Sequence, residues 1–151
     1  MKPDAWPQNH GAGWILVAVQ FACIAWLVLK LKVICLNGLI FFQLAGIVIG
    51  VSAVLAMRRS RLRILPEPDA QAQLVRSGIY RYLRHPMYTS LLLVFLPPAI
   101  VQGMWTEWFV AAVLVLDLVF KLHYEERLLK WQFPDYTYYQ QESWRLFPFL
   151  Y

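Results

Sequence analysis

Charge is scarce in this chain. Only 15% of its 151 residues are Asp, Glu, Lys or Arg, while 60% are hydrophobic and the mean hydropathy is +0.48. That composition excludes an ordinary water-soluble domain of this size, which would expose more apolar surface than water tolerates. Cysteine is nearly missing. Cys23 and Cys35 stand in or beside apolar stretches, with neither the spacing for zinc nor a case for a disulfide framework. Three scattered histidines, His10, His85 and His123, supply no ligand spacing, so no metal is expected. A glycine-rich phosphate loop is also missing, because Gly11-Ala12-Gly13 opens an apolar helix and follows no strand. The first ten residues lack the basic start and the clean cleavage site of a removed signal, and are expected at the surface.

What the chain has instead is long apolar runs. Gly13 to Leu29 is free of charge and long enough, with its flanks, to cross a ~30 Å hydrocarbon core, and Lys30 and Lys32 end it. A second crossing runs from about Leu36 to Met57 and stops at Arg58-Arg59-Ser60-Arg61. Within it, Gly46 and Gly50 form a GxxxG pattern that lets two helices approach closely. Packing inside the chain's own bundle is the expected use, and a homodimer contact is the other use open to it. Arg58 to Leu83 is a polar connection in which Leu65-Pro66-Glu67-Pro68 holds the backbone extended. Gln71 to Arg76 is expected as a short interfacial helix ended by Gly78.

A third crossing is expected from Pro86 to about Val101, broken or kinked by Pro97-Pro98. Trp105 and Trp108 fit an aromatic belt at the far interface. The fourth helix starts near Trp105 and continues beyond the membrane with Asp117, Lys121, Glu125, Glu126 and Arg127. Phe133-Pro134-Asp135 breaks it, and the aromatic tail from Tyr136 to Tyr151 is too interrupted by Glu142 and Arg145 to cross again. The expected fold is therefore an all-α integral membrane protein of about four transmembrane helices. It forms one domain over 1–151, with a first helical hairpin at 1–61 and a functional half at 62–151. Lys and Arg are concentrated on the side shared by both termini and the Arg58–Arg84 connection, which marks that side as cytoplasmic. The net charge of +5 reads as this topology, and no nucleic-acid partner is expected.

The densest chemistry lies in Gly78 to Tyr88, Gly-Ile-Tyr-Arg-Tyr-Leu-Arg-His-Pro-Met-Tyr. Pro86 pushes His85 out of helical dihedrals and suits the first turn of the helix that follows. Arg84 and His85 then stand at a helix N-terminus, where amide N–H groups and partial positive charge suit an anionic group. An interfacial anchor explains Arg, His and Tyr there equally well. For Glu125 and Glu126, a solvated helix turn with a Glu126–Lys130 pair is the plain alternative.

Three blocks in order carry a resemblance: Leu74-Val75 with Gly78-x-Tyr80-x-x-x-Arg84-His85-Pro86-x-Tyr88, then Glu125-Glu126-Arg127, then Tyr136-x-x-Tyr139 and Arg145-x-x-Pro148. From about Leu62 onward the chain resembles the isoprenylcysteine carboxyl methyltransferase family, which shares features with the phospholipid N-methyltransferases. The resemblance implies a membrane-embedded methyltransferase using S-adenosylmethionine, bound through Tyr80, Arg84, His85, Pro86, Tyr88, Glu125 and Glu126. Residue chemistry agrees: carboxylates suit ribose hydroxyls or an ammonium, a guanidinium suits a carboxylate, and a tyrosine face suits a sulfonium. Arg127, Glu126 and Arg145 are the candidates for catalysis. A carboxylate acceptor of the isoprenylcysteine type needs an orienting cation, whereas an amine acceptor, as in phospholipids, needs a base such as Glu126 or His85. The expected partners are the bilayer and a lipophilic or prenylated acceptor.

Two other classes stay open on the residues alone. Membrane sterol reductases that use NADPH carry a similar Arg-His-Pro-Asn-Tyr segment, in which Met87 here replaces the asparagine. A non-catalytic membrane protein that keeps the scaffold for partner binding is the third class.

Overall fold

The computed structural model describes residues 10–31, 34, 38–58 and 74–148. The first nine residues, Lys32, Cys35, the Leu36 start of the second crossing, Arg59 to Gln73 with their prolines, and residues 149–151 lie outside the described residues. Within them the architecture is all-helical: α1 His10–Lys30, α2 Ile40–Met57, a 3-10 turn Gly78–Arg81, α3 Pro86–Gln102, α4 Trp105–Gln132 and α5 Tyr136–Glu142.

α1 and α2 are long and apolar enough to cross a membrane, over Gly13–Lys30 and Ile40–Met57. Their outer faces are bare hydrocarbon and aromatic surface, including Trp14, Ile15 and Phe21 on α1 and Phe41, Ile47 and Val48 on α2. In water such faces would drive association; in lipid they need no cover. α3 starts at Pro86 as expected, with proline in the first turn and His85 in the capping position. α4 starts at Trp105, where the Glu107 carboxylate turns back to accept the Met104 N–H at 3.0 Å.

Two local expectations are corrected. Leu74 to Arg76 is not helical, and Gly78 opens a 3-10 turn rather than closing a helix. Its φ of +64° is a left-handed value that favours glycine. Pro97 and Pro98 do not break α3, which runs through them to Gln102, one residue past the expected Val101. Pro98 has no N–H to give the carbonyl four residues earlier, that of Val94. The Gln43 side chain of α2 supplies the missing donor, its Nε2 reaching Val94 O at 3.0 Å.

The helices pair as α1 on α4 and α2 on α3, while α3 and α4 join the two pairs and α1 and α2 touch at most marginally. Leu27 of α1, Leu92 and Phe95 of α3, and Leu114, Leu118 and Leu122 of α4 make the buried centre. Close approach of α2 to α3 depends on the two glycines. A Cβ on Gly46 would stand 2.8 Å from Leu93 Cβ and 3.1 Å from the Ser90 carbonyl, and one on Gly50 2.5 Å from Ser90 Oγ. The GxxxG pattern thus packs within the chain. Gly46→Val should destabilise the fold by about 1–3 kcal/mol. Gly11→Ala, where nothing lies within 4 Å of the added carbon, should not. Thermal melts in a neutral detergent compare the two, and equal midpoints would refute the glycine contact.

Candidate functional site

The site is assembled by the residues just before α3. Pro86 keeps His85 out of helical dihedrals, at φ −123° and ψ 57°, and Leu83 to His85 pair with the C-terminal tail. Leu83 and Trp144 form a parallel bridge. Trp144 N–H donates to Tyr82 O at 2.8 Å, Arg84 N–H to Trp144 O at 2.8 Å, and His85 N–H to Arg145 O at 3.1 Å. Thr89 Oγ1 extends the seam by donating to Leu146 O at 2.6 Å. The amides of Arg84 and His85, expected to face an anion, are therefore taken by the tail.

The Arg84 side chain is buried and ties three segments together. Its Nε donates to Glu126 Oε1 at 3.0 Å, and one terminal nitrogen donates to the Gln140 carbonyl at 2.9 Å and to the Ser143 carbonyl. Glu126 is buried as well, and its other oxygen lies 3.3 Å from Arg145. The expected pairing of Glu126 with Lys130 does not occur: Glu126 turns inward to the two arginines, and Lys130 stays exposed.

His85 lies between the paired glutamates, its Nδ1 3.6 Å from Glu125 Oε2 and its Nε2 3.6 Å from Glu126 Oε1. These are ion-pair distances, too long for good hydrogen bonds. The imidazole stacks on Tyr88, with centroids 5.5 Å apart and planes within 2°. Tyr88 in turn donates its hydroxyl to Glu125 Oε1 at 2.5 Å. Burial opposes a charged His85 ring, but the two carboxylates outweigh it and raise the ring above its ordinary 6.5. Burial would raise the Glu126 carboxyl, yet His85 and Arg84 overcome it and hold the group at about 2. Burial pushes the Tyr139 phenol up to about 12 against the pull of Arg84, so it stays a donor, bonded to the Tyr80 carbonyl.

A cavity of about 770 Å³ opens beside this cluster, within the ~300–1,000 Å³ range of small-molecule sites. Its polar lining includes Arg84, His85, Tyr88, Glu125, Tyr136 and Tyr139. Its apolar lining includes Phe21 and Ile24 of α1, Val54 and Met57 of α2, and Leu91 of α3. Two buried polar atoms of cavity-lining residues, His85 Nε2 and the Tyr136 hydroxyl, have no hydrogen-bond partner. Such atoms call for a partner from elsewhere.

Of the residues singled out from sequence, Tyr80, Arg84, His85, Pro86, Tyr88 and Glu125 all line the cavity. Glu126 stands behind them as their electrostatic support. Arg145 faces a smaller cleft of about 490 Å³ on the tail, which Arg84 also lines. Arg127 is exposed and lines neither space. Sequence reasoning passed over Gln20 and Lys121, which meet in the cavity wall from α1 and α4. The signal was available for one of them: Lys121 precedes Glu125 by one helical turn and shares its face. It offered a tail tyrosine as a ring face without choosing one; the 3-residue spacing of Tyr136 and Tyr139 turns both inward on α5.

The charges have opposite pH signatures. Glu126 contributes stability above its ordinary 4.5, lost as pH falls toward about 2. His85 contributes fully below 6.5 and loses that contribution as pH rises through its raised native value. Melting midpoints should therefore fall on the alkaline side of neutrality, and His85→Gln should flatten that decline. Glu126→Gln should cost about 3–5 kcal/mol, because Arg84 is left buried without its counter-charge. A wild-type midpoint that stays level from about pH 6 to about pH 9 would contradict the His85 assignment.

A family model described as phospholipid methyltransferase matches residues 36–135, 100 of the chain's 151 residues. The match begins in the second apolar run, well ahead of Leu62, and takes in α3, α4 and the His85–Glu125 cluster. No curated protein and no solved structure matches the chain. The Arg84-His85-Pro86 turn and the paired glutamates of α4 both fall inside the matched span, and the chain belongs to the phospholipid methyltransferase family of integral membrane methyltransferases.

Proposed function

We propose that this protein transfers a methyl group from S-adenosylmethionine to a membrane-associated lipophilic acceptor, a carboxylate of the isoprenylcysteine type. The observation that carries the cofactor reading is a pair of buried atoms without a hydrogen bond on cavity-lining residues: His85 Nε2, whose Glu126 contact is a 3.6 Å ion pair, and Tyr136 OH. A ligand bearing ribose hydroxyls and an amino acid head offers both of them partners. Glu125 and the faces of Tyr88 and Tyr136 are the groups to hold the cationic part of that ligand. Arg84 and Glu126 position the others, since their own polar atoms are engaged by each other and by the tail.

S-adenosylmethionine supplies a methyl group made electrophilic by its sulfonium. The chain's part is to orient the acceptor for in-line attack and to keep water out. A carboxylate attacks without losing a proton, so it needs only a cation to aim it; Lys121 and Arg145 are the candidates near the cavity and the tail. An amine acceptor is the second reading, favoured by Glu125 and by the matched family's description. Its proton must leave before or during attack, and Glu125 is the carboxylate that lines the cavity to take it.

Acceptor and cofactor should reach the site from different solvents. The topology proposed with this reading has α1 to α4 as four crossings, with both termini and the His85–Glu125 cluster on the cytosolic side; the length and apolar surface of α1 and α2 support it. α3 spans about 25 Å at 1.5 Å per residue, enough for a thinned or interfacial path. A lipid chain stays in the bilayer, because its transfer to water costs about 0.8 kcal/mol per CH₂. The gap between α1 and α2, whose Phe21, Ile24, Val54 and Met57 line the cavity, is the entrance this reading assigns to it.

The test uses methyl-labelled S-adenosylmethionine with membranes and detergent-solubilised protein. His85→Ala and Glu125→Gln should weaken cofactor binding at least tenfold in protein that stays monodisperse. Label in the lipid product should be released as methanol by base if the acceptor is a carboxylate, and resist base if it is an amine. Undiminished cofactor binding in both variants would remove these residues from the site.

A further inference from the structure

Lys121 is a buried cation for which the methyl-transfer scheme has only a loose use. It is 3% exposed, and it lines the same cavity as His85 and Glu125. Its Nζ donates one hydrogen bond, to Gln20 Oε1 at 2.8 Å, and lies 5.5 Å from the centre of the Tyr88 ring. An ammonium has three donors, so two remain. Carboxylates stand one turn away on each side, Asp117 before it and Glu125 after it. Neither comes within ion-pair distance among the described residues: Glu125 is engaged by Tyr88 and His85, and Asp117 Oδ2 is buried without a partner. Both carboxylates act on the ammonium only at longer range, and a charge held in a low-dielectric wall without a contact partner favours an anion that can supply one.

We infer that Lys121, oriented by Gln20, is the residue that binds the anionic oxygen group of the lipid acceptor and rejects uncharged lipids. This rests on the methyl-transfer reading for calling the ligand an acceptor. The Gln20 bond fixes one direction of the ammonium, and the Tyr88 ring face flanks it. The free donors are left for an oxyanion in the cavity, one helical turn, ~6 Å, from Glu125. That oxyanion is a carboxylate or a phosphodiester, since both present the same singly charged oxygens to an ammonium. An uncharged head group leaves the cation unpaired, and the resulting penalty is the source of discrimination.

A merely structural role, tying α1 to α4 through Gln20, makes a different forecast. It would affect melting and leave lipid preference unchanged. The test is displacement of a fluorescent single-chain lipid from full-length protein in neutral detergent by three competitors of equal chain length: a fatty acid, an alkyl methyl phosphodiester and an uncharged monoacylglycerol. Wild type should bind both anionic lipids at least tenfold more tightly than the uncharged one. Lys121→Met and Lys121→Gln should erase that ratio and Lys121→Arg should keep it. The glutamine variant retains a polar partner for Gln20 if methionine prevents folding. Preference for the phosphodiester over the fatty acid, or the reverse, identifies which source the site is shaped for. A wild-type ratio near one, or a ratio that survives in Lys121→Gln, overturns the inference. No methyl donor is present in this assay, so failure of the methyltransferase reading shows separately, as wild-type protein that does not bind S-adenosylmethionine.

Discussion

The buried ion pair of Arg84 with Glu126 joins parts of the chain that are far apart in sequence. Arg84 ends the turn before α3, Glu126 belongs to α4, and the same guanidinium holds the carbonyls of Gln140 and Ser143 in the tail. Arg145 closes the arrangement from the other oxygen of Glu126. Buried pairs of this kind add little net stability, because desolvation offsets most of the attraction. They fix geometry instead: with either charge removed, the other is stranded. Here the fixed geometry is that of His85, held against Tyr88 between two carboxylates at the edge of the cavity.

From this constraint follows a division of labour between neighbouring glutamates. Glu126 is consumed by arginines and supports the cluster from behind. Glu125 is turned by Tyr88 toward the cavity. One helical step of about 100° puts adjacent residues in different surroundings, so a Glu-Glu pair can serve as one support and one contact. The cavity beside them has a mixed lining, with polar groups from the Arg84–Tyr88 segment, α4 and the tail and apolar ones from α1, α2 and α3.

Much of this was legible in the sequence. Pro86 marked the start of α3, the uncharged runs marked α1 and α2, and Gly46 with Gly50 marked a close helix contact. Each is a local rule acting on neighbouring residues. The motif blocks also named most of the cavity's polar lining in advance. What was not legible depends on partners distant along the chain. Nothing near Glu126 says that it will pass over Lys130 for Arg84, 42 residues earlier. Pro97 and Pro98 read as breakers because their rescue comes from Gln43 on another helix. Arg127 read as a site residue because it adjoins the glutamates, yet the helix turns it outward. Lys121 and Gln20 meet across 101 residues, which no spacing rule reaches.

The central claim is that the tail forms part of the cofactor site, because it holds Arg84 and pairs with the backbone of Arg84 and His85. The most direct measurement is binding of labelled S-adenosylmethionine to detergent-solubilised protein truncated after Trp131, beside the full chain. The account predicts that the truncated protein keeps its α1–α4 bundle, seen as a monodisperse helical species, and loses cofactor affinity at least tenfold. Equal affinity in the two proteins would contradict it.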